Sequence, residues 1–393
     1  MRKDTDETAR RLGIRILQNL IRIRTHQPDG NEKDLVKYIL ELLPEGVFEN
    51  TVVDHGGNRA SLAAMLPGRR RDRAVAFVGH LDTVAVGRSV GWSHPPFAAD
   101  LEDDSVYGRG AANMKGGLTS MILCALSLAS RADPPPQDVY FSFNADGDYN
   151  GYGAECLAAG GYLGKVREFF FLDPTECKIG IRQKGALWLD VGVTGKFSYS
   201  CFPEHGINAV EAFMEFVRKV ENMLRNEFKS RINADWRPTC VPTKISSEAE
   251  EELNYTVPNR ARGFLDIRTL PGADHQRIVE KIGEIAVVLE SEKPPLEITF
   301  DVVNNRLPIA MSPDAPTVRK VEKIIRELGR KPEKKGLNFF TDASRLIPIL
   351  GVPFVIFGPG TDIFCTLKEE NVSMESVLFV KSVIERYALE EVL

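Results

Sequence analysis

The chain has 393 residues, enough for two domains, of which 43% are apolar and 27% charged. That composition excludes the disordered and fibrous classes. A formal net charge of -5 leaves no electrostatic footprint for nucleic acid. No apolar run is long enough to span a bilayer, so neither a nucleic-acid nor a membrane partner is expected.

The opening MRKDTDETARRLGIRIL has no continuous apolar core of the signal-peptide kind. The six cysteines, Cys124, Cys156, Cys177, Cys201, Cys240 and Cys365, are scattered without a CxxC pair. That argues against a zinc knuckle or a disulfide framework, and a reduced, cytoplasmic protein is the simplest expectation.

Along the chain, residues 4–23 and 31–43 have helical apolar spacing. Short strands are predicted at 48–54, 60–65 and 75–78, the last running into GHLD. The basic run GRRRDR (68–73) reads as a solvated hairpin loop. Residues 115–130 read as a helix, and 139–143 and 168–172 as strands. Strands alternating with helices predict an α/β fold with a largely parallel sheet. Near Lys184 the pattern changes. A strand, a helix at 209–228, a looser segment, a strand at 262–268, a helix at 275–290 and a strand at 298–303 follow. That order fits a ferredoxin-like β-α-β-β-α-β module. From Pro313 the α/β style resumes, with a helix at 316–328, a strand at 352–357, the turn GPG and a C-terminal helix. The expected division is therefore a discontinuous first domain, 1–183 with 305–393, and an inserted second domain, 184–304.

Several motifs line up in order: GHLDTV (79–84), WSHPPF (92–97), YGRGAANMKGG (107–117), FNADGDYNGYGA (143–154), LDPT (172–175), GKFSYS (195–200), PEHGINAV (203–210), VPNRARGFLDIRTLPG (257–272), FTDASRL (340–346) and FGPG (357–360). Together they resemble the metallopeptidase family of acetylornithine deacetylase, succinyl-diaminopimelate desuccinylase and glutamate carboxypeptidase, over nearly the whole chain. The resemblance implies a zinc-bearing catalytic domain and an inserted lid domain that often dimerises. It also implies hydrolysis of an amide bond in an N-acyl amino acid or peptide. In that chemistry two metal ions, bridged by a carboxylate and a water, polarise the scissile carbonyl while a glutamate moves the proton.

Position by position, the resemblance puts His80 and Asp173 at the first metal, with Asp82 orienting the imidazole. The bridging carboxylate falls on Asn113, whose amide offers one neutral oxygen and a donor NH2. The two adjacent glutamates, base and then second-metal ligand, fall on Gly147 and Asp148. The C-terminal histidine falls on Thr366, and the sequence has no histidine beyond residue 275. The lid histidine becomes Tyr199, whose hydroxyl could donate to an oxyanion. Neither half-site reaches the three protein ligands usual for catalytic zinc, so no metal is expected at full occupancy, with one zinc, cobalt or manganese ion as the alternative. Asn113 and Gly147 each remove a carboxylate that would otherwise repel its neighbours at a metal-free site.

The substrate-side positions are better kept. Arg268 maps to the arginine that clamps the substrate carboxylate, a task suited to a planar guanidinium. Asn208 maps to the asparagine that reaches the partner subunit's site, and Gly358 and Gly360 to the turn lining the substrate pocket. Asp342 and Arg345 read as braces for a helix, and Cys201 and Cys365 as buried small side chains. The reading that follows is a family member without two-zinc hydrolysis. It would bind, or act without a dinuclear centre on, an amino acid or N-acyl amino acid. The alternatives are a slow or single-metal amidohydrolase using His80, Asp173 and Asp148 with Asp146 or Asp148 as base, and a structural subunit. A small carboxylate-bearing ligand is expected, as is a homodimer through the lid or a heteromer with a relative.

Overall fold

A computed structural model describes residues 2–87, 91–229, 236–248, 255–362 and 369–392. The chain opens with helices α1 (Arg2–Arg22) and α2 (Glu32–Leu42), then strands β1 (Glu49–Asp54), β2 (Ala60–Leu66) and β3 (Arg70–His80). Helix α3 (Gly116–Ala129), β4 (Gln137–Asn144), α4 (Tyr152–Ala159), β5 (Val166–Phe171) and β6 (Ile179–Gln183) follow. Next come β7 (Gly185–Thr194), α5 (Ala209–Glu227), β8 (Thr239–Glu248), β9 (Arg260–Thr269), α6 (His275–Glu292) and β10 (Glu297–Arg306). Helices α7 (Pro316–Glu327) and α8 (Ala343–Leu350), strand β11 (Phe354–Ile356) and helix α9 (Met374–Ala388) complete the chain. It divides into two compact units. The first is Met1–Arg182, Ala310–Leu337 and Thr341–Leu393; the second is Gln183–Ile309 with Asn338–Phe340.

The first unit is built on a nine-stranded sheet in the order β1-β2-β4-β3-β5-β11-β6, extended by the short strands Ile309–Ala310 and Lys334–Leu337. It is mixed. The central strands β4, β3, β5 and β11 are parallel, while β1 and β2, β2 and β4, and β11 and β6 pair antiparallel. The last seven residues of β3 and all of β2 are buried, as expected where both faces of a sheet are covered. The basic run is not a hairpin loop: Arg70 to Arg73 belong to β3 itself. β4 lies between β2 and β3, so these two consecutive strands are not paired with each other. Arg71 reaches Asp138 on β4 and Glu49 on β1, which gives these charges a reason to sit in a strand.

The second unit has a four-stranded sheet in the order β8-β9-β7-β10, antiparallel throughout. This is the ferredoxin-like arrangement. The alternating burial of β7 and β9 presents Leu187, Leu189, Val191, Leu265 and Ile267 to one face. There they pack with Phe213, Phe216 and Val220 of α5 and Ile278 and Ile282 of α6. The segment before β9 that read as loose is the ten-residue strand β8. Among the described residues no helix is long and apolar enough to cross a membrane.

Candidate metal centre

Three parallel strands deliver the residues of the site. β3 ends on His80, paired in register with Asn144 at the end of β4. The acidic turn 146–148 follows β4, and Asp173 lies two residues beyond β5. The carboxyl ends of parallel strands are where open α/β sheets form sites. Asn113 arrives from the turn Ala111–Lys115 that leads into α3.

His80 Nε2 lies 3.2 Å from Asn113 Oδ1, 3.8 Å from Asp148 Oδ1 and 3.8 Å from Asp173 Oδ1. Its Nδ1 faces the Asp82 backbone oxygen at 2.9 Å and the Asp82 carboxylate at 3.5 Å. One atom each from His80, Asp82 and Asp148 falls within 4.8 Å of the others, as a metal group requires. Asp82 lies on the Nδ1 side of the ring. Its carboxylate accepts from the backbone of Gly147 at 2.7 Å and Asp148 at 3.1 Å, and from Gln27 Nε2 at 2.9 Å. The open ring nitrogen is instead surrounded by Asn113, Asp148 and Asp173.

Burial alone would lower the pKa of His80, but Asp148, Asp82 and Asp173 hold it well above the usual imidazole value. Burial raises Asp148, helped by Asp82 and opposed by His80. Burial pushes Asp173 up to about 7, with Asp342 and Asp148 adding to it. Three carboxylates against one imidazole thus leave the cluster short of positive charge. Asp148 Oδ2 is buried and has no hydrogen-bond partner among the described residues. His80, Asp82 and Asp148 bring ligand atoms close enough together for one divalent ion, and Asn113 and Asp173 add oxygens beside His80 Nε2. Among the described residues no further group of three or more such ligands is present. Thr366 and Cys365 lie outside the described residues.

Asn113 uses both ends of its amide, the oxygen on His80 and Nδ2 on Asp148 Oδ1 at 2.9 Å. Gly147 is constrained by space. A Cβ there would lie 2.2 Å from His80 Cβ and 2.7 Å from its Cγ, so the imidazole stands where a side chain would begin. Of the two aspartates flanking it, Asp148 stands beside His80. The Asp146 oxygens are held elsewhere, by Gln27 at 3.0 Å, the Asn150 backbone at 3.1 Å and Arg59 at 3.5 Å. Burial nevertheless raises its pKa to about 6.

Long-range supports that sequence reasoning missed hold this arrangement. Fully buried Glu370 accepts from Arg109 and from the backbone of Gly110, Ala112 and Asn113, fixing the segment that carries Asn113. Lys115 Nζ donates to the carbonyls of Leu20 and Ile23. Arg59 links Glu32 to Gln27. These contacts join residues far apart in the chain and leave no local pattern. Asp342 accepts from Asn144 at 2.9 Å, and Arg345 donates to the Asn150 carbonyl at 2.9 Å, bracing α8 against the acidic turn.

The other predicted positions have different surroundings. Gly358 packs on the Asp173 segment: a Cβ would lie 2.2 Å from the Leu172 oxygen and 2.3 Å from that of Asp173. Gly360 is in the left-handed region, and its oxygen accepts from the Glu176 backbone. In the second unit, Asn208 caps α5, its side chain accepting from Val210 and Glu211. Tyr199 is exposed and stacks on Tyr255. Arg268 is paired with Asp266 at 2.7 Å and lies over the Phe340 ring. Cys201 is exposed, not buried.

Residues 76–390 match the peptidase family M20/M25/M40, and the chain belongs to that family. It is 24% identical over 392 residues to a Staphylococcus aureus protein named "Probable succinyl-diaminopimelate desuccinylase", covering 93% of this chain and 94% of that one. It is 25% identical over 334 residues to an acetylornithine deacetylase of Myxococcus xanthus, covering 85% of this chain and 84% of the relative. Among solved structures, the di-peptidase Dug1p of Saccharomyces cerevisiae shares the fold with a TM-score of 0.79 at 14% identity, over 98% of this chain and 96% of that one. The metallo-carboxypeptidase Sso-CP2 of Sulfolobus solfataricus has a TM-score of 0.77 at 16% identity, over 96% and 98%.

Proposed function

We propose that this chain has given up two-metal amide hydrolysis and keeps the binding of a small carboxylate-bearing ligand, an amino acid or N-acyl amino acid. The observation that carries this reading is at Gly147. The family's proton-moving side chain is missing there, and His80 occupies the room it would need. Asn113 supports the same reading, since its amide already links His80 to Asp148. A single divalent ion would be held by His80, Asp173, Asp148 and Asn113. When bound, such an ion supplies Lewis acidity. Asp82 keeps the His80 ring oriented with or without it, through Nδ1.

On the ligand side, Arg268 receives the carboxylate, its guanidinium pre-aligned by Asp266 and seated on Phe340. The names of the relatives suggest N-succinyl and N-acetyl amino acids as first ligands to try. A second reading, a slow single-metal amidohydrolase with Asp148 as base, is favoured by one observation, Asp148 Oδ2 beside His80 without a hydrogen-bond partner among the described residues. The two separate in one experiment: turnover of N-acetyl and N-succinyl amino acids with zinc, cobalt or manganese added, alongside thermal-shift binding. The proposal expects binding without turnover. Metal-dependent turnover that disappears in Asp148→Asn establishes the second reading instead.

A further inference from the structure

Beside the His80 cluster runs a chain of polar groups drawn from distant segments of the first unit. Gln27 follows α1, Glu32 opens α2, Arg59 sits in the turn between β1 and β2, and Asp146 lies in the acidic turn after β4. Gln27 Nε2 donates to Asp82 Oδ2 at 2.9 Å and to Asp146 Oδ1 at 3.0 Å. Its Oε1 accepts from Arg59 Nη2 at 2.7 Å. Arg59 is held in turn by the Pro28 carbonyl at 2.6 Å and by Glu32 Oε1 at 2.9 Å. Glu32, Asp82 and Asp146 are all buried.

The chemistry of these partners fixes which way the Gln27 amide points. A guanidinium only donates, and an ionised carboxylate only accepts. Arg59 therefore takes the amide oxygen, and the NH2 is left for the two aspartates. Gln27 is half-buried, yet its amide is directed inward onto all three. The result bears on both sides of the site. Asp82 Oδ2, held by Gln27, also accepts from the Asp148 backbone at 3.1 Å, while Oδ1 accepts from Gly147 at 2.7 Å and lies 3.5 Å from His80 Nδ1. Asp146, held by the same nitrogen, leaves Asp148 as the acid of the turn beside His80 Nε2. Asp146 also has φ 62°, a left-handed conformation that a non-glycine residue keeps when its surroundings hold it there.

We propose that Gln27, aligned by Arg59, is a positioning residue for the His80 centre. It sets Asp82 against the imidazole and holds Asp146 aside, so that His80 and Asp148 present their ligand atoms to one divalent ion. This rests on the reading that the site takes a single ion. Gln27 and Arg59 act through the aspartates. Outer partners of this kind change metal affinity by about 10–100-fold when they are lost.

Cobalt titration of the metal-stripped full chain, read by the visible absorption of the bound ion, tests this, with urea unfolding alongside. The wild type should take up one cobalt that His80→Ala prevents. Gln27→Met keeps the side chain's length and loses its hydrogen bonds; it should weaken cobalt about tenfold and shift the spectrum. Gln27→Glu keeps an acceptor for Arg59 but brings a further carboxylate against Asp82 and Asp146, and it should weaken cobalt at least as much. Arg59→Lys keeps a positive charge beside Glu32 without the fork that orients Gln27, and should act in the same direction by a smaller factor. Cobalt affinity unchanged in Gln27→Met and Gln27→Glu, with or without a lower urea midpoint, makes Gln27 a structural brace and overturns the inference while the single-ion reading stands. Tighter cobalt binding by Gln27→Glu than by the wild type also overturns it, since added charge would then outweigh orientation. Where the Gln27 variants do not fold, wild-type affinity in Arg59→Lys overturns it. A wild type that takes up no cobalt overturns the single-ion reading itself.

Discussion

The acidic cluster of the first unit and the Arg268 cluster of the second differ in how their charges are met. Around His80, the amide of Asn113 and the backbone of Gly147 join the histidine and the aspartates in hydrogen bonds to one another. Around Arg268, Asp266 meets the guanidinium's charge and the Phe340 ring seats it. The proposed loss of catalysis rests on the first of these clusters, and the proposed carboxylate recognition on Arg268 in the second.

That contrast can be broken in several places. The largest effect is expected at Glu370. Replacing it with Ala leaves Arg109 buried without its partner and frees three backbone donors, which should cost about 3–5 kcal/mol in urea unfolding. An unchanged midpoint would mean that Asn113 is held by something else. Next, Gly147→Glu should destabilise by about 1–3 kcal/mol through overlap with His80 and should restore no turnover. A stable, active Gly147→Glu variant would show that only the side chain had been lost. A smaller effect is expected at Asn208. If its role is the cap seen on α5, Asn208→Ala costs about 1 kcal/mol and leaves ligand affinity alone. A loss of affinity without a loss of stability would favour the recognition role instead.

A pH prediction sharpens the same picture in the network behind the acidic turn. Burial, with Asp82 adding to it, raises the Glu32 pKa from its ordinary 4.5 to about 7, against the pull of Arg59. Since the folded value lies above the unfolded one, the native state binds the extra proton. Its stabilising contribution is complete below pH 4.5 and is lost as pH rises through about 7. Glu32→Gln should therefore flatten the fall in stability over that window. A parallel pH profile in the variant would place the titration elsewhere.

Much of the fold was legible because its signals are local. Alternation in β7 and the long apolar spacing of α5 need no knowledge of neighbours. Two readings failed for physical reasons. Arg70 to Arg73 look like a solvated loop until Asp138 and Glu49 are placed across the sheet from them. β8, with the sequence TCVPTKISSE, has a proline and few apolar residues, and it pairs along one side only, as an edge strand. At the site, the motifs identified which positions mattered, and the structure brings His80, Asn113, Asp148 and Asp173 to one point. They could not show that His80 fills the space at Gly147, that Glu370 holds the Asn113 segment, or that Gln27 reaches Asp82 and Asp146. Those facts depend on register and on contacts between distant residues.

The central claim is that the His80 cluster has room for one ion and not for a working pair. Titration of the metal-stripped full chain with zinc, followed by measurement of ions per chain, tests it most directly. The account predicts no more than one ion per chain, removed by His80→Ala, with no hydrolysis of N-acyl amino acids at saturation. Two ions per chain with turnover would contradict it.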